Sequence, residues 1–162
     1  MRKITYCEGW FLGRQKPIGI MDEIKAKKIY GKGKTFAALL GDDPYRPEVA
    51  VTFTKGVVII EYFDENLRLT SRALYGDQEE GKVFLKSLTG KGGRIEGTKD
   101  GYETVELIFH KDGTGHTLYW TLDGMYEKSD TIWPHIERHW HPIPEFGDYE
   151  SIVAAPMNLS DK

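Results

Sequence analysis

The sequence predicts a mainly β protein. The expected form is an antiparallel meander of about seven to nine strands, as a curved sheet or a lipocalin-like barrel, with a short C-terminal helical segment. Three observations predict it. Turn-forming clusters recur about every ten residues. The runs between them alternate apolar and polar side chains, with few helical periods. Eighteen glycines are spread along the chain rather than gathered in a repeat. At 162 residues the chain is expected to form a single domain, 1–162, with one core.

Taken in order, residues 3–14 carry the strand formers Ile4, Tyr6, Trp10 and Phe11, with Gly9 and Gly13 as interruptions. Residues 18–30 admit two readings. Ile20, Ile24 and Lys27 or Lys28 fit a helical face, while Ile18, Ile20 and the Lys27-Lys28-Ile29-Tyr30 run fit a hairpin. Extended structure is expected, because Gly31-Lys32-Gly33 follows and the next run, 34–40, reads as a strand. Gly41-Asp42-Asp43-Pro44 turns the chain. Val49, Val51 and Phe53 then share one face, and Lys55-Gly56 is a two-residue turn before Val57-Val58-Ile59-Ile60, so 48–63 reads as a β-hairpin. Its second strand is apolar on both faces and is expected at the centre of the sheet. Leu67, Leu69, Ser71 and Ala73 form one face of the next strand, a polar loop follows over 76–81, and Val83 and Leu85 share a face of another strand. The glycine-rich run 90–101 reads as a mobile loop. A second hairpin spans 102–123 around Asp112-Gly113-Thr114-Gly115. Ser129 or Asp130 is expected to cap a short helix running to about Trp140.

Composition excludes several classes. Hydrophobic residues make up 40% and charged residues 29%, as in ordinary globular chains. A net charge of -3 argues against a nucleic-acid partner, since phosphate binding needs a basic surface. No apolar run approaches a membrane span, so no membrane partner is expected. The N-terminus has no apolar stretch before Glu8, so no signal peptide is expected, and the single cysteine, Cys7, gives no intrachain disulfide. A cytoplasmic location follows as an expectation.

The densest polar chemistry lies in 133–144, which holds three of the five histidines and two of the four tryptophans. This segment is expected to close or plug the sheet, with Trp133 and Trp140 largely buried. Trp133, His135, Glu137, His139, Trp140 and His141 are the candidate binding residues. On a helix, His135 and His139 would sit one turn apart; on an extended segment, His139 and His141 would share a face. Neither pairing has a closed ligand set, so no metal and no cofactor is expected, and no catalytic residue is assigned. His110 and His116 flank the second hairpin's turn, where two histidines are able to act as acid and base. The apolar stripe Val105, Leu107 and Phe109 suggests a bulge or another register there, in which the two rings need not meet. Gly31-Lys32-Gly33-Lys34-Thr35 lacks the first glycine of a P-loop, and the lysines from 25 to 34 read as an exposed edge.

Two stretches, Arg46-Pro47-Glu48-Val49 running to Glu61-Tyr62-Phe63-Asp64 and Pro144-Glu145-Phe146-Gly147-Asp148-Tyr149, resemble segments of small β-rich bacterial immunity proteins of secreted-toxin systems. The resemblance implies a cytoplasmic protein-binding module that neutralises one cognate toxin by occluding it, and it carries no catalytic residues. Binding is therefore preferred over catalysis. The alternatives are a lipocalin-like binder of a small apolar ligand, with Trp10, Trp120, Trp133 and Trp140 lining a cavity, and a histidine-dependent, metal-dependent or metal-free, enzyme.

Overall fold

The computed structural model describes residues 1–91 and 103–158. Its strands are β1 (Ile4–Phe11), β2 (Lys16–Met21), β3 (Phe36–Leu40), β4 (Val49–Thr54), β5 (Val57–Phe63), β6 (Leu69–Glu79), β7 (Lys82–Lys91), β8 (Thr104–Phe109), β9 (Thr114–Trp120), β10 (Tyr126–Ile132) and β11 (Trp140–Pro142). The helices are α1 (Glu23–Gly31) and α2 (Glu150–Ala154). All strands join one sheet whose path is β10-β9-β8-β7-β6-β5-β4-β3-β1-β2, with β11 paired to β7 beside β8. Every pairing is antiparallel. The meander is as expected, but the described strands number eleven. The path has two ends, so the sheet is open and not a lipocalin-like barrel. No described helix is long and apolar enough to cross a membrane.

The hairpin of β4 and β5 forms where the sequence places it. Thr54 pairs with Val57, and Lys55 and Gly56 both have positive φ, the geometry that a two-residue turn needs to match strand twist. Three stretches differ from expectation. Residues 23–31 are helical, not extended. Asp22 accepts a hydrogen bond from the Lys25 amide at 2.7 Å and caps the helix, which buries Ala26 and packs Ile29 and Tyr30 on the core while Ile24 is exposed. The lysines at 25, 27 and 28 thus decorate a helix and not a sheet edge. The polar run 76–79 continues β6 instead of forming a loop. The helix expected over 129–140 is strand β10 followed by a short 3-10 turn, Ile136–His139; the C-terminal helix lies later, at α2. The loop expected over 90–101 lies outside the described residues, apart from Gly90 and Lys91, which end β7.

The inner face of the sheet presents Tyr6, Phe36, Ala38, Val51, Phe53, Ile60, Tyr75, Phe84, Leu107 and Phe109 to one core. The segment from Trp133 to Val153 is laid across it. Trp133 packs on Phe109 with ring centres 4.8 Å apart, Trp140 on Phe84 at 5.1 Å, Phe146 on Tyr6 at 4.9 Å and Tyr149 on Phe53 at 5.3 Å. Polar ties fix the path. The Ile143 amide donates to the Gly81 carbonyl, Tyr30 Oη to the Pro144 carbonyl and Tyr62 Oη to the Val153 carbonyl. On the outer face, Cys7, Ala37, Leu39 and Ala50 form a smaller cluster under Trp10 and Phe63. The Gln15 side chain, just past β1, donates to the Leu67 carbonyl and anchors this hairpin over that cluster.

If the C-terminal segment is core and not appendage, Ile152→Ala should cost about 3 kcal/mol, as a fully buried strand residue such as Ile60 would. Urea melts of the two variants test this. A loss under about 1 kcal/mol for Ile152→Ala would mean that α2 detaches independently of the sheet.

Candidate interaction surface

The structure distributes the six candidate residues of 133–141 over several environments. Trp133 is half-buried, and its amide donates to the Gly113 carbonyl at 2.7 Å. Its indole lies against Gly115, where an added Cβ would stand 2.8 Å from Nε1 and 2.0 Å from the Ile108 carbonyl oxygen. Trp140 is half-buried too, with Lys111 Nζ 5.5 Å over its ring. Both pack on the core as partly buried residues, where largely buried ones were expected. His135 and Glu137 are exposed and face each other, Nδ1 to Oε1 at 3.4 Å. His139 is buried among Phe109, Phe84 and Trp133. His141 points elsewhere. Its Nδ1 donates to the Pro142 carbonyl at 2.7 Å, so Nε2 accepts from Ser151 Oγ at 3.0 Å and ties β11 to α2. His135 and His139 are therefore not a helical pair, and His139 and His141 do not share a ligand. Among the described residues no three His, Cys, Asp or Glu side chains converge as a metal site would require.

His139 is the most perturbed group of this segment. Burial lowers its pKa to about 4, against a smaller opposing influence from the Glu137 carboxylate. It is a neutral packing residue at ordinary pH. Cys7 is similarly inert: burial pushes its thiol up to about 11, the reverse of an activated thiolate.

Sequence reasoning passed over the surface formed by β8, β9 and β10. In the observed register Glu106 pairs with Leu118 and Ile108 with His116, without a bulge. Val105, Leu107 and Phe109 face the core, opposite Gly115, Thr117 and Tyr119. The stripe His116, Leu118 and Trp120 therefore faces outward, next to Tyr126, Lys128 and Asp130 of β10. Trp120 and Tyr126 pack with ring centres 4.8 Å apart. Leu122, Met125, Tyr126 and Ile132 are all more than half exposed. Among the described strands, β10 is the end of the sheet path and has one neighbour, β9. Alternation along β9 was readable in the sequence, but its smaller, more polar side chains take the core side, because Trp133 needs the space above Gly115.

At the opposite end of the path, β2 is also an edge, with Ile18 and Ile20 exposed. No protein-family model matches the chain, and neither a curated protein nor a solved structure shows significant similarity to it.

The His139 environment sets a pH dependence. The unfolded chain takes up a proton at this residue near pH 6.5, the folded chain only near pH 4. Its contribution to stability is therefore complete above about pH 6.5 and declines as pH falls toward 4, by up to about 3 kcal/mol. Urea melts at pH 7 and pH 4.5 should show a larger loss for the native chain than for His139→Met, which removes the titrating ring. Equal losses would mean that the ring is protonated in place.

Proposed function

We propose that the chain is a protein-binding module that engages one cognate protein through the β10 edge and the adjoining outer face. The single observation that carries this reading is the edge strand β10, with Leu122, Met125 and Tyr126 exposed near Trp120 at one end and Ile132 exposed at the other. An edge strand leaves backbone N–H and C=O groups free to pair with an incoming strand, and aromatic side chains next to it supply anchors. The resemblance to immunity proteins gives the specific form of this proposal: a cytoplasmic inhibitor that occludes a bacterial toxin.

A second reading has one observation in its favour. A cleft of about 410 Å³ opens between the end of α1 and the β4–β5 turn, with Tyr30, Phe53 and Ile143 as apolar lining and Lys34, Lys55 and Gln78 among its polar residues. It suits a small apolar ligand bearing an acidic group. The larger lumen of a lipocalin has no counterpart, because the inner face is packed by the chain's own C-terminal segment.

Photo-crosslinking in the cells that make the protein separates these readings. A crosslinker at Tyr126 or Ile132 is expected to trap one dominant protein that a crosslinker at Lys27 on α1 does not. With that partner purified, Trp120→Ala and Tyr126→Ala should each weaken binding by about 30-fold, the 2 kcal/mol of an interface hot spot. Stoichiometric addition of the module should abolish the partner's toxicity. Equal trapping from α1 and β10, or affinity unchanged in both variants, would refute the proposed surface.

A further inference from the structure

We propose that the β8–β9 hairpin carries a two-histidine site for a transition-metal ion of the zinc, copper or nickel class, with His110 and His116 Nε2 as its ligands. The two rings meet at the turn, with centres 5.4 Å apart and planes at 85°. The register explains the meeting. Ile108 lies opposite His116, and the His110 amide donates to the Thr114 carbonyl, so the histidines are diagonal neighbours on the outer face. Two imidazoles bound to one tetrahedral zinc at about 2.0–2.1 Å hold their ring centres roughly 5 Å apart.

The hydrogen bonds fix both rings in the tautomer that ligation needs. His116 Nδ1 lies 2.9 Å from Asp130 Oδ1; a carboxylate accepts, so Nδ1 donates and carries the proton. His110 Nδ1 lies 3.0 Å from Thr114 Oγ1. That hydroxyl spends its own proton on Asp112 Oδ1 at 2.7 Å, so it too accepts from the ring. Each Nε2 is thereby a lone-pair donor without a hydrogen-bond partner among the described residues. Metal-ligating histidines characteristically have this outer support, one ring nitrogen donating to a carboxylate or hydroxyl while the other binds. Lys111, between Asp112 and His110 in sequence, is drawn away by Glu79 and the Trp140 ring.

Imidazole nitrogen selects borderline ions over magnesium and calcium, which prefer oxygen. Two protein ligands leave the remaining positions to water. Asp130 is a positioning residue for His116, not a ligand.

The test is calorimetric titration of the full chain, stripped with a chelator, using zinc chloride alone. Saturable binding of one zinc per chain is expected. His110→Gln and His116→Gln should each lower affinity by at least tenfold, and the double variant should abolish it. Asp130→Asn should lower affinity about tenfold through loss of ring support. In long-range proton–nitrogen spectra of the native chain, zinc should shift Nε2 of His110 and His116 while Nδ1 of each stays protonated; this reading does not depend on any variant folding. Absence of saturable binding overturns the site. So does unchanged binding in the double variant, equal uptake of magnesium, or nitrogen shifts confined to His135 and His141.

Discussion

Everything in this molecule depends on one constraint: the apolar inner face of the open sheet must be kept from water. The chain meets it with its own C-terminal segment. Trp133, Trp140, Phe146 and Tyr149 each pack on an aromatic ring of the sheet, on β8, β7, β1 and β4 respectively. Burial of large aromatic side chains is the strongest per-residue contribution available to such a contact. One segment therefore links strands that lie far apart along the sheet path, and α1 fills the remaining end through Ala26, Ile29 and Tyr30.

This arrangement accounts for the chemistry of 133–144 without a catalytic centre. A segment that crosses a core must place some side chains inside it, and His139 is one of them. Desolvation keeps it neutral, and His141 spends both ring nitrogens on the Pro142 carbonyl and Ser151. Period-two alternation sends His116, Leu118 and Trp120 outward as a direct consequence of Gly115, Thr117 and Tyr119 facing in. An open sheet also has free edges, and the edge at β10 is where exposed apolar surface gathers.

Local chemistry made part of this legible. Lys55-Gly56 announces a hairpin because both positions take positive φ, and the apolar run of β5 marks an interior strand. The same local logic misled at α1. Gly31-Lys32-Gly33 and the strand after it favour extended structure, while the real signals of a helix, the Asp22 cap and the small buried Ala26, are quiet ones. It misled again at 129–140, where Ser129 and Asp130 suit a helix cap but belong to an edge strand held by β9. There the pairing of seven consecutive residues outweighs a capping preference of about 1 kcal/mol. Of the candidate residues, the sequence located the segment that covers the sheet and the two tryptophans that pack on the core, but not the burial of His139, nor that the two hairpin histidines meet.

Alternation, glycine placement and aromatic density are local properties, and they sufficed for the antiparallel meander, most of its turns and the role of 133–144 in covering the sheet. Only the tertiary structure decided that the sheet stays open, which face of β9 is buried, and where His110, His116 and His139 end up. These outcomes rest on contacts between residues far apart in the chain. Trp133 occupying the space over Gly115 is the clearest case, since a glycine at the start of a strand does not disclose which ring will lie upon it.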